Sequence, residues 1–290
     1  MVQAIKRDEV FIEPEGIHLD THQPERRSRK PPLLFVHGAL TGSWLWTEIA
    51  AYLAERGWEA HALNLRGHFT SDVAELDDVT MRDYADDIGV ALRHIARPSV
   101  VVGWGIGALA AMLYAERHPV LGLVLLAPSP PAAALPRRPD EHELRAVPAI
   151  YDAAWWGWTG TAEELRERMP DMSDEELDKM TELLAGAHES GRARRERMLG
   201  VPIDPSRFTD MPSLVIGAGL DEVIHPTEAR RTADLLGASY EYFPGASHFG
   251  LVMGSQTWPD VAASLLGWLE EHRHAMVTAS ASVTPVGARR

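Results

Sequence analysis

No cysteine occurs among the 290 residues. The chain therefore has no disulfide, no thiolate metal ligand and no cysteine nucleophile, and a reducing compartment is open to it. Positive charge is also in short supply: 28 lysines and arginines face 42 acidic residues, a formal net charge of −14. So acidic a chain offers no basic face for nucleic-acid phosphates or an anionic membrane, whereas small neutral ligands stay open to it. The run Arg26-Arg27-Ser28-Arg29-Lys30 is the local exception and reads as a solvated loop. Long apolar runs are missing too. The longest uncharged stretch, Pro119 to Pro136, contains five prolines and cannot form a membrane-spanning helix. The N-terminal Met-Val-Gln-Ala-Ile-Lys-Arg-Asp-Glu reaches charge too early for a signal peptide, so a cytoplasmic location is expected.

What is present is an ordinary globular composition, 45% hydrophobic and 24% charged, enough for one sizeable core plus an insertion. Strands alternate with helices along most of the chain, which predicts an α/β fold with a doubly wound, mostly parallel sheet and a ligand site at the carboxyl ends of its strands. The stretch from Ser99 to Pro119 anchors this reading. Val100-Val101-Val102 favour an extended backbone and Ala108 to Arg117 are strong helix formers, so strand must turn into helix across Gly103 to Gly107. So sharp a corner, with small residues around one exposed position, resembles the nucleophile elbow of the α/β-hydrolase family, whose pattern is Gly-x-Ser-x-Gly. Gly105 stands where that family carries serine. Glycine suits the strained backbone of such a position, but the hydroxyl is missing. The same glycines also fit a looser dinucleotide pattern, Gly103-x-Gly105-x-x-Ala108. The end of the next strand offers Ala127-Pro128-Ser129-Pro130 in place of the acid a ribose needs, which argues against a nucleotide cofactor.

Upstream, Glu9 to Glu13 and Ile17 to His22 read as an antiparallel hairpin around Pro14-Glu15-Gly16 at a sheet edge. Leu33 to Val36 form a buried strand that stops at His37-Gly38-Ala39-Leu40, before a helix carrying Trp46, Ile49, Ala50 and Leu53 on one face. This front resembles the small-ester members of the same family. The resemblance implies an oxyanion hole made by the backbone N–H of Ala39, with Leu40 the register alternative, and that of Ile106. After a strand at Trp58 to Leu65, Asn64-Leu65-Arg66-Gly67-His68-Phe69-Thr70-Ser71 is similar to the family's Asp-x-Arg-Gly-His-Gly-x-Ser segment, with Asn64 and Phe69 as departures. Arg66 and His68 are assigned structural roles. Gly217-Ala218-Gly219-Leu220-Asp221-Glu222 resembles the acid loop, which implies that Asp221 rather than Glu222 orients a histidine. Pro244-Gly245-Ala246-Ser247-His248-Phe249 is similar to the histidine loop and sets His248 after the elbow and the acid in chain order. The expected catalytic positions are thus Gly105, Asp221 and His248, and the expected substrate-facing core residues are His37, Leu40 and Trp104.

Between Pro130 and Phe208 the alternation breaks off. Capping-box signatures at Thr161-x-x-Glu164 and Ser173-x-x-Glu176 predict several short helices there, and the resemblance implies that they form a helical cap over the site. The division expected is a core of residues 1–129 and 208–274, a cap of 130–207 and a disordered tail of 275–290 after a helix from Pro259 to His272. Trp155, Trp156 and Trp158, with Met169, Met172 and Met180, are candidates for lining the pocket, core packing being the alternative for each. His142-Glu143 is not a zinc helix, because residue 146 is alanine. No metal, cofactor, nucleic-acid or membrane partner is expected, and no feature sets an oligomeric state. The expected ligand is a small, apolar ester- or lactone-type molecule. Three readings accommodate the missing hydroxyl: a hydrolase that lost its serine in nature or by replacement, a lyase or cofactor-free oxygenase using His248 as general base, and a non-catalytic binding module.

Overall fold

The computed structural model describes residues 2–282 except 27 and 73, so Arg27 of the basic run and residues 283–290 of the expected tail lie outside the described residues. The chain opens as an antiparallel hairpin in which β1 (Ile5–Ile12) pairs with β2 (Ile17–Pro24), from Ile5 opposite Pro24 to Ile12 opposite Ile17. Both strands outrun their sequence-based limits. β1 is a mostly exposed edge strand, so main-chain pairing rather than apolar alternation sets its length.

The later strands, in chain order, are β3 (Leu33–Val36), β4 (Ala60–Asn64), β5 (Val100–Trp104), β6 (Gly122–Leu126), the short β7 (Ile150–Asp152) and β8 (His188–Ser190), then β9 (Ser213–Ala218) and β10 (Ser239–Phe243). Eight of them form one sheet in the order β1-β2-β4-β3-β5-β6-β9-β10, parallel from β4 onward. Alternation splits each central strand between two layers. Leu33 and Phe35 of β3 and Val100, Val102 and Trp104 of β5 join one apolar cluster, while Leu34, Val36 and Val101 join the other. Helices α1 (Thr47–Ala54), α2 (Met81–Ile95) and α3 (Ile106–Ala115) connect the first strands. Between β6 and β9 lie α4 (Glu141–Ala146), α5 (Ala153–Trp156), α6 (Ala162–Arg166), α7 (Asp174–Leu184) and α8 (Gly191–Leu199), and after β9 come α9 (Pro226–Leu236), α10 (Gly250–Met253) and α11 (Trp258–Ser282).

The capping boxes of Thr80 with Asp83, Thr161 with Glu164 and Ser173 with Glu176 are all formed, each satisfying two backbone donors that a helix start leaves unpaired. The segment between β6 and β9 also holds a two-stranded sheet, β7 with β8, that the sequence did not announce. Three-residue strands are too short to show a period. The last helix continues to Ser282, so Ala275 to Ser282 of the tail expected to be disordered is helical. Its anchor is Met276, 1% exposed, whose methyl stands so near Gly122 that a Cβ there would lie 3.0 Å from it. Among the described residues, no helix is long and apolar enough to cross a membrane.

Candidate active site

Gly105 joins β5 to α3 with φ 57° and ψ −123°, a backbone that L side chains rarely adopt. Space is not what selects glycine there: a Cβ on Gly105 would meet Gly38 Cα and His248 Nε2, each at an ordinary 3.7 Å. Gly107 differs, for its Cβ would fall 2.2 Å from the carbonyl oxygen of His37, so α3 and the loop after β3 touch backbone to backbone. The corner is pinned by Gly105 N donating to Leu126 O at 3.2 Å and Ser129 N donating to Gly105 O at 3.0 Å.

Asp221 and His248 come from the loops after β9 and β10. Their side chains meet at 2.6 Å, Nδ1 to Oδ2, while the other carboxylate oxygen accepts the N–H groups of Val223 at 2.7 Å and Ile224 at 2.8 Å. With Nδ1 donating to the carboxylate, Nε2 of His248 is the acceptor, and it is the ring atom that faces Gly105. Trp104 packs against the imidazole with ring centroids 4.4 Å apart, and Trp158 meets it edge-on at 6.1 Å. Over this pair lies a narrow cavity, part of it open to solvent, walled by Leu40, Trp104, Trp156 and Trp158 and bordered by Ala39 and Ile106. Ile106 is the first residue of α3, so its N–H has no intrahelical acceptor, and the Ala39 N–H has none among the described residues.

A sheet of this order, a left-handed glycine between strand and helix, and an acid–histidine pair on the loops after β9 and β10 form a specific combination. The profile of the alpha/beta hydrolase family matches residues 33–264. The chain belongs to that family. Among its relatives, the pyrethroid hydrolase of Sphingobium wenxiniae is 27% identical over 219 residues, covering 69% of this chain and 74% of that protein. The pimeloyl-[acyl-carrier protein] methyl ester esterase of Chromobacterium violaceum is 33% identical over 108 residues, 37% of this chain and 40% of that protein. A thermophilic esterase from Thermogutta terrifontis shares the fold at a TM-score of 0.69 and 22% identity, over 92% of this chain and 99% of that one.

In this alpha/beta hydrolase, not every residue singled out from the sequence reaches the cavity. His37 is fully buried below it: Nδ1 donates to Gly38 O at 2.8 Å and Nε2 accepts the Leu65 N–H at 3.0 Å, so it braces β3 to β4 rather than facing substrate. Burial and the neighbouring His68 hold its pKa well below the usual value, which keeps it neutral. Trp155 is 41% exposed and packs on Tyr151 and Arg194, away from the lining. Met169, Met172 and Met180 are buried in the core cluster and are not among the residues lining this cavity. His68 Nε2 donates to Glu189 of β8 at 3.2 Å, and Arg66 grips Asp87 with Nε at 2.9 Å and Nη2 at 2.6 Å.

Residues not foreseen complete the lining: Ser129, Arg197, Val223 and Ile224. Ser129 stood in view beside the elbow's partner strand, but Arg197 is one of several arginines in Gly-Arg-Ala-Arg-Arg-Glu-Arg, a segment with no pattern to choose among them. Elsewhere, Glu9, His18 and Asp20 place three potential metal-ligating atoms within 4.8 Å of one another. Asp20 already accepts from Ser43 and His18 Nδ1 faces Asn64 at 3.3 Å, so two of the three are engaged by the protein.

Proposed function

We propose that the chain works on a small ester or lactone-type molecule, as a carboxylic-ester hydrolase whose covalent nucleophile is absent. In this reading His248, oriented by Asp221, takes a proton from water; the hydroxide attacks the acyl carbon, and the amides of Ala39 and Ile106 hold the resulting oxyanion. Collapse expels the alcohol, which recovers the proton from His248. The observation that carries the reading is the position of His248 Nε2, 3.7 Å from where a nucleophile's Cβ would stand on an elbow that keeps its geometry. The names of the two relatives, one a hydrolase of pyrethroids and one an esterase of a methyl ester, support an ester as the substrate class. Losing the serine of a serine hydrolase costs on the order of a millionfold in kcat, so turnover by water alone is expected to be slow.

The test restores the hydroxyl. Gly105→Ser is expected to hydrolyse p-nitrophenyl acetate with a burst, and His248→Ala on that background to abolish it. A folded serine variant that shows no burst and no labelling by a fluorophosphonate overturns the hydrolase reading. A second reading is favoured by the open path from Nε2 to the cavity: direct removal of an acidic substrate proton, as in a lyase or cofactor-free oxygenase. It predicts His248-dependent deuterium exchange into a bound carbon acid by the Gly105 protein.

A further inference from the structure

The polar groups around the cavity are unbalanced. Ala39 and Ile106 present backbone donors, and Ser129 is 1% exposed with its Oγ lacking a hydrogen-bond partner among the described residues. Arg197 of α8 adds a guanidinium to the same lining, and no aspartate or glutamate lines it. Among the described residues Arg197 has no ion-pair partner within 4 Å, whereas its neighbour Arg192 on the same helix pairs with Asp78 and Glu196. The carboxylates near enough to act on it electrostatically are Asp221 and Glu228: Asp221 is engaged by His248 and two amides, and Glu228, which borders a neighbouring cavity that Arg197 also lines, accepts the His225 N–H at 3.0 Å through one oxygen. The other nearby cation, Arg194, is turned into the stack of Tyr151, Trp155 and Trp156, 4.2 Å from the Trp156 ring, and does not line the cavity. Burial and the charge of Arg194 pull the Arg197 pKa down to about 10, so it remains a full cation at neutral pH. A partly buried cation beside aromatic walls is costly to leave without a counter-ion.

Resting on the ester reading above, we propose that the substrate carries a carboxylate in addition to its ester, and that Arg197 binds it. The apolar ligand expected from the sequence thereby acquires an anionic end. A guanidinium fork matches a planar carboxylate with two parallel hydrogen bonds. A carboxylate rather than a phosphate fits a lining with one arginine and no lysine, because a phosphate dianion would leave one charge unmatched.

The probes are monomethyl succinate, glutarate and adipate against their dimethyl esters, with binding to the Gly105 protein read by tryptophan fluorescence and calorimetry. At least one half-ester is expected to bind roughly tenfold or more tightly than its diester, the size of a charge-assisted hydrogen bond. Arg197→Met should erase that preference, half-ester and diester then binding alike, and Arg197→Lys should restore part of it, as a point charge in place of the fork. Circular dichroism and thermal unfolding of both variants check that the cap is intact. Equal affinity for half-ester and diester, a preference that survives Arg197→Met, or tighter binding of methyl phosphate than of every half-ester would each overturn the proposal. The Gly105→Ser protein separates this from the ester reading. If it hydrolyses neutral esters without any half-ester preference, the carboxylate site falls and the hydrolase reading stands. If half-esters bind through Arg197 but the serine variant never forms an acyl-enzyme, the anion site stands and the hydrolase reading falls.

Discussion

At the residue scale, the chemistry of the site depends on where one proton sits. Asp221 uses one oxygen to fix Nδ1–H of His248 and the other to hold the amides of Val223 and Ile224, so its charge and its shape serve different partners. Asp221→Asn separates the two. The amide oxygen can keep the backbone bonds, but the NH₂ group would donate to Nδ1 and put the proton on Nε2, the wrong tautomer for a base. In the Gly105→Ser background the burst rate constant is expected to fall by roughly 10³–10⁴, as for the corresponding change in serine proteases, with the fold unaltered by circular dichroism. A drop below tenfold would mean that the carboxylate does not set the tautomer. Gly105→Ser itself places a side chain at φ 57° and is expected to cost roughly 1–3 kcal/mol, measurable as a shift of the urea midpoint.

At the element scale, the short strand β8 is tied to α2 and to the loop after β4 through a buried network. Glu189, 1% exposed, takes hydrogen bonds from Tyr84 of α2 and from the Ser190 N–H at 2.8 Å, and meets His68 Nε2 at 3.2 Å. Burial works to lower the His68 pKa, but the Glu189 charge and hydrogen bond overcome it, so the net shift is upward. For Glu189 burial is likewise overcome by His68, and its pKa is lowered. The sign follows from proton linkage: the raised histidine stabilises fully below its ordinary 6.5 and loses that contribution as pH rises through the folded value. The lowered glutamate stabilises fully above its ordinary 4.5 and loses it as pH falls through the folded value. The stability gap between wild type and Glu189→Gln should therefore be widest between pH 4.5 and 6.5 and narrow at higher pH. Breaking such a pair costs about 3–5 kcal/mol while the remaining charge persists. Urea midpoints of both proteins across pH 4.5 to 9 check this, and a gap independent of pH would refute it.

At the scale of the whole molecule, α11 packs against α1 and α10 and extends beyond where its sequence pattern fades. Lys30 Nζ and Trp58 Nε1 both reach Glu270 on it, at 2.5 Å and 3.1 Å, and Met276 covers Gly122 of β6 near Trp268. Removing residues 275–290 strips Met276 from that contact. The expected loss is about 2–3 kcal/mol, the low end for deleting a buried methionine side chain, and Met276→Ala alone should reproduce most of it. Thermal and urea unfolding of the truncated chain are the measurements. Unchanged stability would mean that the end of α11 only rests on the core.

The sequence by itself determined the alternation of strands and helices, the corner at Gly103 to Gly107, the capped helix starts and the loops bearing Asp221 and His248. Each of these is set within a few residues, by backbone sterics, periodic burial and the hydrogen bonds of helix ends. Tertiary structure alone decided that His37 braces two strands beneath the site, that Glu189 ties β8 to His68, and that Arg197 rather than its neighbouring arginines lines the cavity. Which of the four arginines of α8 reaches it depends on how that helix packs against segments far apart in the chain, which no local pattern records.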